Sequence, residues 1–216
     1  MGQELNLTVS GLLWNRSLIM QDAETKSLWS HLLGRAMDGK LKGTELETLP
    51  STMTTWAAWR RAHPKTSVLA MTRTAKAYTD AYLKQPDRFV LGLHTLSAAR
   101  AYPLPQLMKT PVVNDEFERE PVVITFDPLS GGGQAFSRKL DEKILTFVYP
   151  DPATAGNNPS RTMKDSATGS SWHTVSGECV EGKLKGRQLE HRPLIPSYLR
   201  AWKTFHPKSS FFTAPK

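Results

Sequence analysis

Asp22-Ala-Glu-Thr25-Lys-Ser27-Leu-Trp29 returns later in the chain as Asp165-Ser-Ala-Thr168-Gly-Ser170-Ser-Trp172. The correspondence runs on without a gap from residues 22–65 to 165–208, at a constant spacing of 143 positions. Gly34, Gly39, Leu41, Gly43, Leu46, Pro50, Trp59, His63 and Pro64 recur as Gly177, Gly182, Leu184, Gly186, Leu189, Pro193, Trp202, His206 and Pro207. In all, 18 of the 44 aligned positions are identical, far above chance, so the chain contains a duplicated unit.

Inside the repeated stretch the pattern reads as short strands and turns. Leu5 to Val9 alternates with period two, Leu18 to Met20 gives a second strand, and Asp22 to Lys26 turns into a third that carries Ser27 and Trp29. Gly34, Asp38-Gly39 and Lys42-Gly43 then punctuate further short strands or loops. Thr54 or Thr55 caps a helix whose Trp56, Trp59 and His63 share one face, and Pro64 stops it. In the second copy the helix is expected from about Ser197 to Phe205.

The block between the copies has no earlier counterpart. A short helix is expected around Ala75 to Leu83, then a hairpin from Phe89 to Leu93 and Ala99 to Tyr102, and a helical turn from Leu104 to Met108. A strand meander comes next at Val112-Val113, Pro121 to Phe126, Gln134 to Arg138 and Ile144 to Phe147, with Asp141-Glu142 as a turn and Pro150 to Ser160 as a loop. The fold class is therefore α+β and β-rich: a duplicated, strand-dominated unit with short helices closing each repeat.

Composition sets the bounds on function. With 28 Lys and Arg against 20 Asp and Glu the net charge is +8, but no run of five or six basic residues forms. That argues against a dedicated nucleic-acid face and leaves a small anionic or peptide ligand as the expected partner. The lone cysteine, Cys179, excludes an internal disulfide and any multi-cysteine metal site; its counterpart Ala36 marks it as a small buried side chain. No stretch approaches the ~18 apolar residues of a membrane span. The start, Met1 to Leu7, shows no basic region leading into an apolar one, so no signal peptide is read and the compartment stays open.

Four groupings carry candidate chemistry. Asp22 and Asp165 sit in the same turn of each copy, where a carboxylate accepts backbone N–H bonds; Glu24 could pair with Asp22, but its counterpart is Ala167. Arg100 and Tyr102 alternate on one strand and, with Asn114 and Asp115, either line a polar pocket for a carboxylate or phosphate or form a buried ion pair that orients the hairpin. Trp29 and Trp172 join them as candidate ligand-binding residues around a groove between the duplicated units. His63 and His206, each four residues after a tryptophan, are the weak metal candidates, with no His-x-His or His-Glu-x-x-His spacing to support them. Ser130 to Gly133 lacks the ending of a phosphate loop. Matching Lys40-Leu-Lys-Gly43 and Lys183-Leu-Lys-Gly186 loops read as solvated. Nothing names a cofactor.

The strings Ala99-Arg-Ala-Tyr-Pro-Leu104, Val113-Asn-Asp115, Asp22-x-Glu-Thr-x-Ser-Leu-Trp29 and Trp59-x-x-x-His-Pro64 together resemble the family known as domain of unknown function 3179. The resemblance covers nearly the whole chain and implies a tandem of two units, each with an early and a late part. It implies residues 1–70 as a first late part, 71–87 as a linker, 88–147 as the early part of the second unit and 148–216 as its late part. The family's first unit usually has a Cys-Pro-Leu-Cys-Gly-like stretch, and Asp127-Pro-Leu-Ser-Gly131 stands at the corresponding position here without cysteine. Many relatives look exported or lipid-anchored. The resemblance carries no activity.

Two functions lead, ahead of a weaker third, nucleic-acid association through the net positive charge. The first is a ligand-binding or structural module. The alternative is a metal-dependent or redox-associated protein or enzyme using His63 and His206 or the Arg100, Asn114 and Asp115 group. With two late parts sharing one early part, residues 5–20 are also expected to leave a strand edge exposed, through which the chain could form a homo-oligomer.

Overall fold

The computed structural model describes residues 4–69, 84–150 and 162–215. The helix expected over 75–83 and most of the expected loop over 150–160 fall outside the described residues. The chain divides into two compact units: Met1–Leu49 with Arg200–Pro207, and Pro50–Leu199 with Lys208–Lys216.

The first unit is a four-stranded antiparallel meander of β1 (Leu7–Trp14), β2 (Ser17–Asp22), β3 (Leu28–Ser30) and β4 (Arg35–Asp38), in that spatial order. Asn15 and Arg16 form the two-residue turn between β1 and β2, both at positive φ (49° and 64°), the geometry that matches the twist of a tight hairpin. A bulge interrupts the β1–β2 pairing between Val9 and Leu13, with Gly11 at φ 78°. Residues 200–207 complete this unit: Phe205, from the helix Leu199–Phe205, meets the Trp14 ring edge-on at 4.9 Å.

The second unit opens with helix α1 (Trp56–Ala62), capped by the Thr55 hydroxyl accepting from the Ala58 N–H at 3.2 Å, as the sequence suggests. Then come β5 (Phe89–His94), β6 (Ala99–Pro103), helix α2 (Leu104–Lys109), β7 (Val112–Phe117), β8 (Glu120–Asp127) and β9 (Gly132–Ser137). Two-residue strands β10 (Lys139–Leu140) and β11 (Lys143–Ile144) turn through Asp141 at φ 53°. Next are β12 (Phe147–Val148), β13 (Thr162–Asp165), β14 (Ser171–His173) and β15 (Cys179–Glu181). The chain ends with β16 (His191–Arg192), β17 (Ile195–Tyr198), helix α3 (Leu199–Phe205) and β18 (Ser210–Phe211). The expected start of α3 at Ser197 is instead strand. There Pro196 cannot supply a helical N–H, and Ile195 to Tyr198 pair with β5 from Gly92 to Phe89.

Among the described residues this unit holds three four-stranded sheets, β17-β5-β6-β18, β16-β9-β8-β7 and β12-β13-β14-β15, and the two-stranded ribbon β10-β11. The sheet β16-β9-β8-β7 is buried on both faces, which is why β8 reads as a near-continuous apolar run. By strand alternation Val122, Ile124 and Phe126 enter one core with Leu91, Tyr102, Leu107 and Val113, while Val123 and Phe136 enter a second with Phe147, Met163, Trp172 and Leu189. Cys179 is fully buried in that second core, and burial pushes its thiol up.

The two copies fold alike. Strand order β2-β3-β4 repeats as β13-β14-β15, and the isolated bridge Arg35–Glu45 repeats as Glu178–Gln188. Gly34, Gly39 and Gly43 have φ of 61°, 90° and 87°; Gly177, Gly182 and Gly186 have 71°, 97° and 85°. The tryptophan and histidine rings lie 4.1 Å apart at 38° in one helix end and 4.3 Å apart at 38° in the other.

Candidate functional site

Asp22 is the hub of the first copy's turn. It accepts from the Thr25 N–H, the Thr25 hydroxyl at 2.9 Å and the Trp29 indole N–H at 2.8 Å, while Thr25 and Ser27 hydroxyls meet at 2.6 Å. Asp165 does the same with the Thr168 N–H at 2.6 Å, the Thr168 hydroxyl at 2.8 Å and the Trp172 indole at 3.0 Å. Burial alone would raise Asp22, but these donors outweigh it and hold it at about 2; Asp165 is held below the usual range in the same way. Trp29 and Trp172 are thus buried partners of these carboxylates. Glu24 faces Asn6, whose side-chain amide donates at 2.7 Å.

The strand pair predicted from Arg100 and Tyr102 does meet Asp115. The Arg100 Nε donates to Asp115 Oδ2 at 2.5 Å, the Tyr102 hydroxyl donates to the same oxygen at 2.9 Å, and the Glu116 N–H donates to Oδ1 at 2.9 Å. β6 and β7 belong to different sheets, so the node ties one sheet to the next. The Arg100 and Asp115 side chains keep 25% and 17% of their surface exposed. Burial and the Asp115 charge push the Tyr102 phenol well above its usual range, so it stays a neutral donor.

Asn114 does not join them. As the neighbour of Asp115 on a strand it points to the opposite layer, where its Nδ2 donates to the Phe147 carbonyl at 2.7 Å and its Oδ1 accepts from the Phe147 N–H at 2.8 Å. This side-chain amide acts as a piece of strand that caps the backbone of β12.

If Arg100 serves the scaffold, replacing it with Met strands a half-buried carboxylate, and we expect a loss of about 1–3 kcal/mol in urea unfolding. The double variant Arg100→Met/Asp115→Leu should recover part of that loss. A strictly additive pair would show that the two residues do not act together.

The histidines close their helices. His63 and His206 each stack on the preceding tryptophan, and the backbone N–H of each bonds back to that tryptophan's carbonyl at 2.8 Å. His63 and His206 belong to different units. Within the second unit the titratable neighbour of His63 is His191, which burial lowers below the usual histidine range, the Ser176 carbonyl opposing and the His63 charge adding. Among the described residues no three His, Cys, Asp or Glu side chains gather where a metal ion could be held.

A polar strip along the second core escaped the sequence reading. The Asp127 carboxylate accepts from the Ser130 hydroxyl at 2.6 Å, the Thr125 hydroxyl donates to the Thr174 carbonyl at 2.7 Å, and the Gln134 amide donates to the Thr52 hydroxyl. The only hint was Asp127-Pro-Leu-Ser-Gly131. Its first and fourth positions do touch, through a hydrogen bond that closes the turn.

The least satisfied surface lies on β1. It ends the sheet order, and among the described residues no strand pairs with its outer side. Leu7, Val9, Leu12, Leu13 and Trp14 are all exposed, Val9 at 66% and Leu13 at 69%. Its counterpart in the other copy, β12, has two residues and carries the Asn114 cap. The apolar side chains around the two sheets differ accordingly: Leu46 is 39% exposed and its equivalent Leu189 is 1%.

Residues 1–86 and 77–216 both match the family described as Protein of unknown function (DUF3179). The chain belongs to this family. The repeated match agrees with the duplication that strands, turns and carboxylate hubs display. No curated protein and no solved structure matches the chain. Among the described residues no helix is long and apolar enough to cross a membrane.

Proposed function

We propose that this member of the family is a binding module that captures an extended peptide strand along β1. The observation that carries the reading is an eight-residue edge strand, Leu7–Trp14, without a charged residue or a proline and with five large apolar side chains in solvent. Such an edge offers a row of backbone donors and acceptors together with alternate apolar side chains, which is the chemistry of strand addition. The polar groups elsewhere support it: Arg100, Tyr102, Asn114, Asp22 and Asp165 are engaged in bonds that hold the fold.

The probe is a labelled, end-blocked peptide alternating threonine and valine, monitored by fluorescence anisotropy. It should bind the native chain and lose binding to Val9→Lys/Leu13→Lys, since a lysine at the edge opposes added strands. Equal binding to both proteins would refute the reading.

A further inference from the structure

The second copy shows what covers a repeat of this kind. Asn114 on β7, Val123 on β8 and Phe136 on β9 are cross-strand neighbours and form one row across their sheet. That row lies against the second copy. Val123 and Phe136 share a core with Phe147, Met163 and Leu189, and the Asn114 amide holds both the N–H and the carbonyl of Phe147. The Phe136 ring sits so close to Gly177 that a Cβ there would lie 2.5 Å from it.

The first copy presents the same seat. Leu7 stands opposite Asp22 as Phe147 stands opposite Asp165. The Asp22 and Asp165 N–H groups turn inward to the Ser27 and Ser170 carbonyls, so the residues opposite them aim their own N–H and carbonyl outward. At Phe147 the Asn114 amide meets both; at Leu7 no strand lies on that side among the described residues. The side chains differ in the same direction. Phe147 is 2% exposed and Leu7 38%, Leu189 is 1% and Leu46 39%, and Met163 is fully buried where Met20 is half-buried. Gly34 repeats Gly177, with φ 61° against 71°, yet a Cβ there would meet the Thr48 hydroxyl and the Leu46 carbonyl at 3.6 and 3.9 Å instead of a ring.

We infer that the first copy is the docking site for a second polypeptide, one that presents an antiparallel sheet with this row of asparagine, β-branched and aromatic side chains. Its asparagine clamps the Leu7 backbone, its apolar pair closes over Met20 and Leu46, and its ring seats on Gly34. Another molecule of this chain does not fit the role, because among the described residues the row occurs once and already lies under its own second copy. The site is the face of the sheet and one residue of its edge, so the inference goes beyond strand capture along β1 and does not depend on it.

The probe is a labelled peptide of residues 111–137 carrying Pro111→Cys/Phe126→Cys, oxidised so that β7 is held against β8. These two positions pair on the side away from the row, through the bond from the Phe126 N–H to the Pro111 carbonyl. Such pairs have Cα atoms about 5.5 Å apart, which suits a disulfide. Fluorescence anisotropy with the whole chain should show saturable binding. Asn114→Leu in the peptide should weaken it about tenfold, since Leu7 loses both partners. Leu46→Lys in the chain should weaken it at least as much, with an unchanged circular dichroism spectrum to exclude misfolding. Leu13→Lys, at the far end of β1, should leave it unchanged. No binding, or binding indifferent to both Asn114→Leu and Leu46→Lys, would overturn the inference. Binding lost only in Leu13→Lys would overturn it as well, while leaving strand capture along β1 in place.

Discussion

Asp165→Ala should lower the unfolding free energy by about 3–5 kcal/mol, because it leaves three donors without their acceptor. The Trp172 indole N–H is the costliest of them, since the ring is fully buried in the second core and no water reaches it. The Thr168 N–H and hydroxyl lose the same carboxylate but are only partly buried, so they add less. Asp165→Asn keeps one acceptor oxygen and should cost roughly half as much. Urea titration monitored by tryptophan fluorescence reads both variants. A loss below about 1 kcal/mol would show that the hub does not hold the turn.

The same hubs fix the acid limit of the fold. Asp22 and Asp165 both have folded-state pKa values below the unfolded value, so the unfolded chain binds protons first as the pH falls. Their contribution is complete above the unfolded value of 3.8 and is lost as the pH falls towards about 2, where Asp22 itself titrates. Stability measured from pH 7 downwards should stay level with respect to these groups until about pH 4 and then drop. In Asp165→Ala the drop should be shallower.

Gly182→Ala is the second large effect, expected at about 2–4 kcal/mol. Gly182 has φ 97°, and a Cβ there would lie 2.8 Å from the Ser170 Cα and 2.7 Å from its hydroxyl. Neither obstacle is a flexible chain end, so the loop must open. Gly39 has φ 90° and would put its Cβ 2.7 Å from the Ser27 Cα, so Gly39→Ala should cost a similar amount. Gly186, at φ 85° with nothing within 4 Å of its Cβ position, isolates the backbone term, and Gly186→Ala should cost clearly less. Equal losses at Gly182 and Gly186 would show that backbone strain alone, without the close approach, makes these glycines necessary. Thermal denaturation of the three variants settles the comparison.

The features legible in the sequence were local and repeated. Asp22 and Asp165 stood 143 positions apart with the same threonine, serine and tryptophan behind them, and a turn built from short-range bonds needs no more than that. Arg100 and Tyr102 announced a shared face through strand alternation. Asn114 was grouped with Asp115, yet neighbours on a strand turn to opposite layers, and that Asn114 finds the backbone of Phe147 depends on how two sheets stack. The parallel pairing of β18 with β6 spans residues 210 and 100, and no local pattern carries such a contact. The polar strip from Thr125 to Gln134 was missed because the pattern places both residues on strands but does not say that both faces of their sheet are covered, nor that Thr174 and Thr52 come to meet them.

The membership of the two units bears on the order in which the chain can fold. The first 49 residues form most of one unit, yet that unit is complete only when residues 200–207 arrive and Phe205 reaches Trp14. On a ribosome, which lengthens a chain by about 5–20 residues per second, the earliest strands must therefore wait some ten seconds or more for their last piece. Contacts of such long sequence separation slow folding from denaturant as well. During that wait the apolar surface of the amino-terminal hairpin stays open, and this interval is when a nascent chain is most exposed to chaperones and to misassociation.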